Sequence, residues 1–199
     1  MIDAIFLGSF NPPHIGHLNV IQSVLNSDIG NSLHIHIIPC KQNPNKKNSV
    51  QFSYRYYMCK ELFEQFSNRI TVNDIEDHHN WKYTYDMLEY ISSGKDASIS
   101  SDFLWILTKE TFDELIDKKW HKSDDIINKY IERMIIVCEN PNDLITGILA
   151  ETIVQLMPGF NIHSTDIRNF IKQNKNVELY FNKGVYNIIK ENNLYGYKK

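Results

Sequence analysis

Short apolar runs alternate along this chain with longer stretches of helical periodicity. Residues 4–7 (Ala-Ile-Phe-Leu) form the first run, and a pattern of Leu18, Val20, Ile21, Val24 and Leu25 predicts a helix over residues 16–27, stopped before Gly30-Asn31. Residues 33–39 (Leu-His-Ile-His-Ile-Ile-Pro) read as a second strand, and Tyr54, Met58, Leu62 and Phe66, with Tyr57 beside them, mark a helix over 51–66. A weak third strand at 70–72 leads to a helix over 81–92, with Thr84 or a neighbour as its cap. Strand 103–107, helix 109–116, a loop at 118–121 and strand 134–138 follow. An ambiguous stretch at 143–150 reads as helical and 152–157 as a sixth strand. A helix then opens near 164–168 with Ser164 or Thr165 as cap, and short helices at 177–181 and 185–192 finish the chain. Strands alternating with helices predict a Rossmann-like, doubly wound parallel α/β sheet with a C-terminal helical region. Residues 1–199 read as one domain, without internal repeat or linker.

Composition narrows the class. Hydrophobic residues make up 42% and charged residues 23%, the balance of a soluble globular protein. A net charge of −3 argues against a surface built for nucleic acid. Cys40, Cys59 and Cys138 are scattered without a C-x-x-C spacing, as expected of buried thiols in a reducing compartment. No basic region precedes the first apolar run and no stretch reaches bilayer-spanning length, so the expectation is a cytoplasmic protein without a membrane partner.

Candidate chemistry concentrates between the first strand and the first helix, where residues 8–17 read Gly-Ser-Phe-Asn-Pro-Pro-His-Ile-Gly-His. Strand, tight turn and helix N-terminus in that order gather backbone N–H groups and the positive end of a helix dipole, a ready phosphate site. Gly8 allows close approach of the backbone, Pro12 and Pro13 stiffen the turn, and His14 and His17 fall on one side of the first helical turn. A metal pair is the alternative for the two histidines, but no third ligand lies at a fitting spacing. His34 and His36 share a strand face and read as strand surface rather than ligands. The polar loop at 39–49, with Lys46, follows strand two where an open α/β sheet places ligand contacts, and Arg55 lies within reach of it. Trp120 in its loop is either packing or a platform for a ring. Arg168 sits one turn into the helix that Ser164 and Thr165 open.

The turn at 8–17 resembles the Gly-x-Phe-x-Pro-x-His-x-Gly-His signature of the nucleotidylyltransferase superfamily. Ile162-His163-Ser164-Thr165-Asp166-Ile167-Arg168 resembles its second motif, Ile-Ser-Ser-Thr-x-x-Arg, with His163 in place of one serine. Within that superfamily the whole chain looks like a nicotinate-nucleotide adenylyltransferase. Asn43-Pro44-Asn45-Lys46 is similar to that family's Pro-Pro-His-Lys loop, and the segment from Lys82 to Leu88 to its Ser-Tyr-Thr-x-Asp-Thr-Leu. Trp120-His121 resembles its ring-stacking tryptophan, and the ending Asn193-Leu194-Tyr195 is also like the family's. Thr108-Lys109-Glu110 stands where that family has Gly-x-Asp.

The resemblance implies adenylyl transfer from ATP, brought with Mg²⁺, to nicotinate or nicotinamide mononucleotide, with pyrophosphate released. It implies catalytic roles for His14, His17, Lys46 and Arg168. ATP contacts would come from Gly8, Ser9, Phe10, His14, His17, Glu110, Ser164, Thr165 and Arg168, and mononucleotide contacts from Asn11, Lys46, Arg55, Tyr83, Thr84 and Trp120. The attacking phosphate is already ionised at neutral pH, so the reaction requires no triad, only alignment and charge stabilisation. Two alternatives remain open. The Asn-Pro-x-Lys-Lys loop also resembles pantetheine-phosphate adenylyltransferases, and an inactive nucleotide-binding regulator could share the fold.

Overall fold

The computed structural model describes residues 1–41, 49–139, 152–156 and 162–198. Six parallel strands form one sheet in the order β3-β2-β1-β4-β5-β6. They are β1 Ile2–Gly8, β2 Leu33–Pro39, β3 Ile70–Val72, β4 Leu104–Thr108, β5 Met134–Cys138 and β6 Thr152–Gln155. The helices are α1 Ile15–Leu25, α2 Phe52–Phe63, α3 Thr84–Ser92, α4 Lys109–Ile116, α5 Ser123–Tyr130, α6 Ser164–Lys172 and α7 Lys183–Glu191.

Strand alternation sorts the core into two layers. Ala4 and Phe6 of β1, Ile106 of β4 and Ile135 and Val137 of β5 face the side covered by α1, α2, α6 and α7. Their neighbours Ile5, Trp105, Leu107, Met134 and Ile136 face α3, α4 and α5. Because side chains alternate with period two, strands buried on both sides read as continuous apolar runs. Burying each of the Ile, Leu, Val, Met and Phe side chains contributes about 1.5–3 kcal/mol. The order of strands reverses between β1 and β4, so the C-terminal ends of these two strands flank the crevice where open α/β sheets bind ligands.

The expected doubly wound parallel sheet is therefore present, with β2, β3, α4 and β5 at their expected bounds. Several local expectations shift. Helix α2 stops at Phe63 and tightens to a 3₁₀ turn over Glu64–Phe66, while α1 runs Ile15–Leu25 rather than to residue 27. Of Thr84 and its neighbours it is extended Tyr83 that takes the cap position of α3, Thr84 being the first helical residue. Similarly, His163 caps α6, leaving Ser164 and Thr165 in its first turn. Residues 177–181 hold only a 3₁₀ turn at Glu178–Tyr180. The helix expected over 143–150 lies outside the described residues, as does the last residue of the strand expected over 152–157.

His36 is also not a surface residue. It is buried on the α3–α5 side of the sheet, with Nε2 3.3 Å from Oδ1 of Asp3, whose Oδ2 accepts from the Ser100 N–H at 2.8 Å. Burial pushes the His36 pKa down, against the opposing pull of Asp3. Cys59 and Cys138 are buried thiols, whereas Cys40 is half-buried. Among the described residues no helix is long and apolar enough to cross a membrane.

Candidate active site

The turn after β1 is built around two imidazoles. His14 caps α1, its Nδ1 accepting from the Gly16 N–H at 3.1 Å, while its own N–H donates to Nδ1 of His17 at 3.2 Å. With Nδ1 an acceptor on each ring, the neutral tautomer carries its proton on Nε2 in both. The ring centroids lie 3.9 Å apart. Burial, with smaller contributions from His17 and His163, holds the His14 pKa far below its ordinary value, so this ring stays neutral. A side chain on Gly16 would place its Cβ 2.9 Å from the His14 ring, so glycine is what lets the imidazole fold back over the helix start.

Gly8 also makes room for a neighbouring ring. A Cβ there would meet the Phe10 ring at 3.0 Å, so the space is taken by Phe10. Phe10 holds a positive φ of 43° and is only 1% exposed, its ring 4.9 Å from that of His17. Its side chain is a floor beneath His17 and does not face the crevice. Ser9, beside it, gives its carbonyl to a buried guanidinium described below.

The far end of the chain closes this site. Ser164 donates from Oγ to the Pro12 carbonyl at 2.9 Å, and Arg168 donates from Nη1 to the Asn11 carbonyl at 2.7 Å and from Nη2 to Oγ1 of Thr165 at 3.0 Å. These links span 152 and 157 residues of sequence. They set the N-terminus of α6 beside that of α1, so two helix dipoles and their amide groups converge on one region, an arrangement that favours negative charge. Glu110, in the first turn of α4, stands across from it, Oε2 3.7 Å from Nδ1 of His163.

Among the residues expected to meet a mononucleotide, Arg55 is the clear correction. Its guanidinium is 1% exposed and donates to the carbonyls of Val50 (3.1 Å), Ser9 (2.8 Å), Cys40 (2.6 Å) and Lys41 (3.0 Å). It lies under the crevice, because loop carbonyls from three segments converge there and need donors. Desolvation lowers its pKa. Burial likewise raises that of Glu76, which accepts from the Lys41 N–H at 3.2 Å. Asn11 is buried too, its Oδ1 accepting from the Val50 N–H at 3.3 Å. Arg55 and Asn11 thus fasten both flanks of residues 42–48; Lys46, with the Asn43-Pro44-Asn45 stretch, lies outside the described residues.

The remaining three expected contacts, Tyr83, Thr84 and Trp120, lie on the other layer, two of them aromatic. Tyr83 stacks on His121 at 4.1 Å and 22°. Trp120 is half-buried, its ring 6.0 Å from Trp105, its N–H donating to Oγ of Ser123 at 3.2 Å and its Nε1 to Oε2 of Glu114 at 3.4 Å. Thr84, half-buried, opens α3 directly after Tyr83. Helix α4 joins the two groups: Glu110 meets His163, and Glu114, one turn on and on the same face, meets Trp120. His121 is the residue of this group that the sequence reading passed over as a contact. Its adjacency to Trp120 was the available signal.

A family model described as cytidylyltransferase-like matches residues 5–170. The probable nicotinate-nucleotide adenylyltransferase of Fusobacterium nucleatum subsp. nucleatum is 32% identical, with 94% of this chain and 96% of that protein covered. The protein of the same name from Caldicellulosiruptor bescii is 28% identical, with 96% and 97% covered. Among solved structures, Plasmodium falciparum nicotinic acid mononucleotide adenylyltransferase complexed with NaAD superposes with a TM-score of 0.75 at 21% identity, 98% of each chain being covered. Its complex with APC gives 0.74 at 20% identity over the same shares.

Proposed function

The chain belongs to the cytidylyltransferase-like family, and on that premise we propose that it is a nicotinate-nucleotide adenylyltransferase acting in NAD biosynthesis. The phosphate of nicotinate mononucleotide attacks the α-phosphorus of ATP. One P–O bond forms there as the bond to the β-phosphate oxygen breaks, and pyrophosphate leaves with the electron pair. No proton need move, since the attacking phosphate is ionised at neutral pH. The work of the protein is alignment and stabilisation of charge on phosphates in flight.

The observation that carries this reading is the junction of the two ends of the chain, Ser164 on Pro12 and Arg168 on Asn11. It gathers His14, His17, Thr165 and Arg168 at two helix N-termini, a set of donors suited to a triphosphate. Lys46 is assigned to the same phosphates. The aromatic group of Tyr83 and Trp120 is assigned to the pyridine ring, and the names of the curated relatives support nicotinate mononucleotide as its owner. Mg²⁺ is assigned to the substrate, as MgATP, since among the described residues no group of three or more His, Cys, Asp or Glu side chains is placed to hold a metal ion. Residues 1–199 are taken as one nucleotidylyltransferase domain.

The test is pyrophosphate release from MgATP with nicotinate mononucleotide, nicotinamide mononucleotide, phosphopantetheine or no acceptor. Turnover with nicotinate mononucleotide and formation of its adenylylated dinucleotide are expected. Turnover confined to phosphopantetheine overturns the acceptor, and ATP binding without turnover on any acceptor overturns the enzyme.

A further inference from the structure

Two of the places where the chain departs from the motifs it resembles, Glu110 and His163, stand against one another in the fold. Glu110 lies in the first turn of α4, its side chain 70% exposed, with Oε2 3.7 Å from Nδ1 of His163 at the cap of α6. A carboxylate is an odd occupant of a region that gathers phosphates. It accepts hydrogen bonds and donates none, and it repels a triphosphate. On the sugar of a nucleotide it can accept two hydrogen bonds, its two oxygens matching the vicinal hydroxyls of a ribose.

His163 is well placed to decide where that carboxylate points. Its backbone is fixed on both sides: the N–H donates to Oδ2 of Asp166 at 3.3 Å, and the carbonyl accepts from the N–H groups of Asp166 at 3.0 Å and Ile167 at 3.2 Å. The carbonyl of the preceding Ile162 lies over the first turn of α1, 3.4 Å from where a Cβ on Gly16 would stand. From this fixed backbone the imidazole, 60% exposed, lies near enough to His14 to act on it electrostatically and brings Nδ1 within 3.7 Å of the Glu110 carboxylate at the start of α4.

Resting on the adenylyltransferase reading, we infer that His163 is a positioning residue that holds the Glu110 carboxylate toward the ribose of ATP and away from its phosphates. Nothing in this role requires His163 to touch the reacting atoms. It replaces a short hydroxyl side chain by one long enough to cross from α6 to α4, matching a glutamate that is itself longer than aspartate.

The test compares ATP with 2′-deoxy-ATP and 3′-deoxy-ATP, in direct binding by calorimetry and in kcat/KM with nicotinate mononucleotide. Wild type is expected to favour ATP over at least one deoxy analogue by about tenfold to a hundredfold, the range for a hydrogen bond to a charged group. His163→Ser keeps a preferred helix cap while removing the imidazole. It should lower that preference at least threefold, as should His163→Ala, with the mononucleotide KM changed less than twofold. Glu110→Ala should abolish the preference, and adding His163→Ser to it should change the ratio no further. His163→Gln, which still offers an amide donor, should restore part of it. An unchanged ratio in both His163 variants, an equal loss on all three nucleotides, or additive effects in the double variant overturns the inference. The binding measurements need no turnover, so a wild type that discriminates riboses yet transfers no adenylyl group sinks the proposed function alone.

Discussion

The backbone N–H of His14 donates to Nδ1 of His17 at 3.2 Å, which fixes the second ring and leaves its proton on Nε2. His17 is only half-buried, whereas His14 is 4% exposed, so His17 is the ring better placed to reach a phosphate. His17→Ala should fold normally and lose about 10²–10³ in kcat, roughly 2.7–4 kcal/mol of transition-state stabilisation. Near-native kcat in a folded variant would remove this turn from the chemistry.

His14 makes a prediction about acid stability. Its folded pKa lies far below the ordinary 6.5 because burial disfavours the cation. Below about pH 6.5 the unfolded chain takes up a proton that the folded chain refuses, so stability is lost as pH falls, by at most ~1.4 kcal/mol per pH unit for this group. His36, also lowered by burial, acts in the same direction. His14→Asn retains a good helix cap and removes one titrating group. Between pH 7 and pH 5 its denaturant midpoint should fall less than that of wild type. Parallel pH profiles for the two proteins would show that the His14 ring protonates in the folded state.

Arg55 separates a structural from a ligand-binding arginine. Arg55→Met would leave the carbonyls of Ser9, Cys40, Lys41 and Val50 without this donor and would remove one of the two positive charges, the other being Lys41, that favour the Glu76 carboxylate. The cost should be about 3–5 kcal/mol, as for breaking a buried charged network. Near 200 residues that corresponds to a Tm lower by roughly 6–20 °C. Arg55→Lys should recover little, since an ammonium cannot span four carbonyls in a fork. A Met variant with native Tm and a raised mononucleotide KM would return Arg55 to the ligand.

What could be read from the chain was what is local. The turn at 8–17 carries its own signals in Gly, Pro and His, and the strands at β2, β3 and β5 are apolar runs bounded by turn residues. Arg55 was misread because its role is set by carbonyls from residues 9, 40, 41 and 50, brought together only by the sheet. Helix α5 went unpredicted because residues 122–133 are largely polar; its tertiary anchors are Ile126 and Tyr130, four apart, beside a buried Ser123. The α6 cap was misassigned for a related reason: Ser164 is a favoured cap type, but its hydroxyl is committed to Pro12. The pairing of Glu110 with His163 joins α4 and α6, helices that cover opposite faces of the sheet, and no spacing along the chain foretells it.

Trp120 provides the last prediction, which turns on whether its indole serves the core or a ligand. It packs at 6.0 Å and 52° against fully buried Trp105, yet remains half-exposed, with Nε1 held by Glu114. A pyridinium ring carries positive charge and is attracted to an indole face by stacking and cation–π contact, worth roughly 0.5–2 kcal/mol. Trp120→Ala should therefore raise the KM for nicotinate mononucleotide by several-fold to tens of fold, with the KM for ATP much less affected. Trp120→Phe keeps an aromatic face and should recover part of the loss. Glu114→Gln weakens the hold on Nε1 without removing the ring, and should fall between wild type and Trp120→Ala. If Trp120→Ala instead lowers Tm while leaving the mononucleotide KM untouched, Trp120 is a cover for Trp105, and the Tyr83–His121 stack becomes the candidate platform.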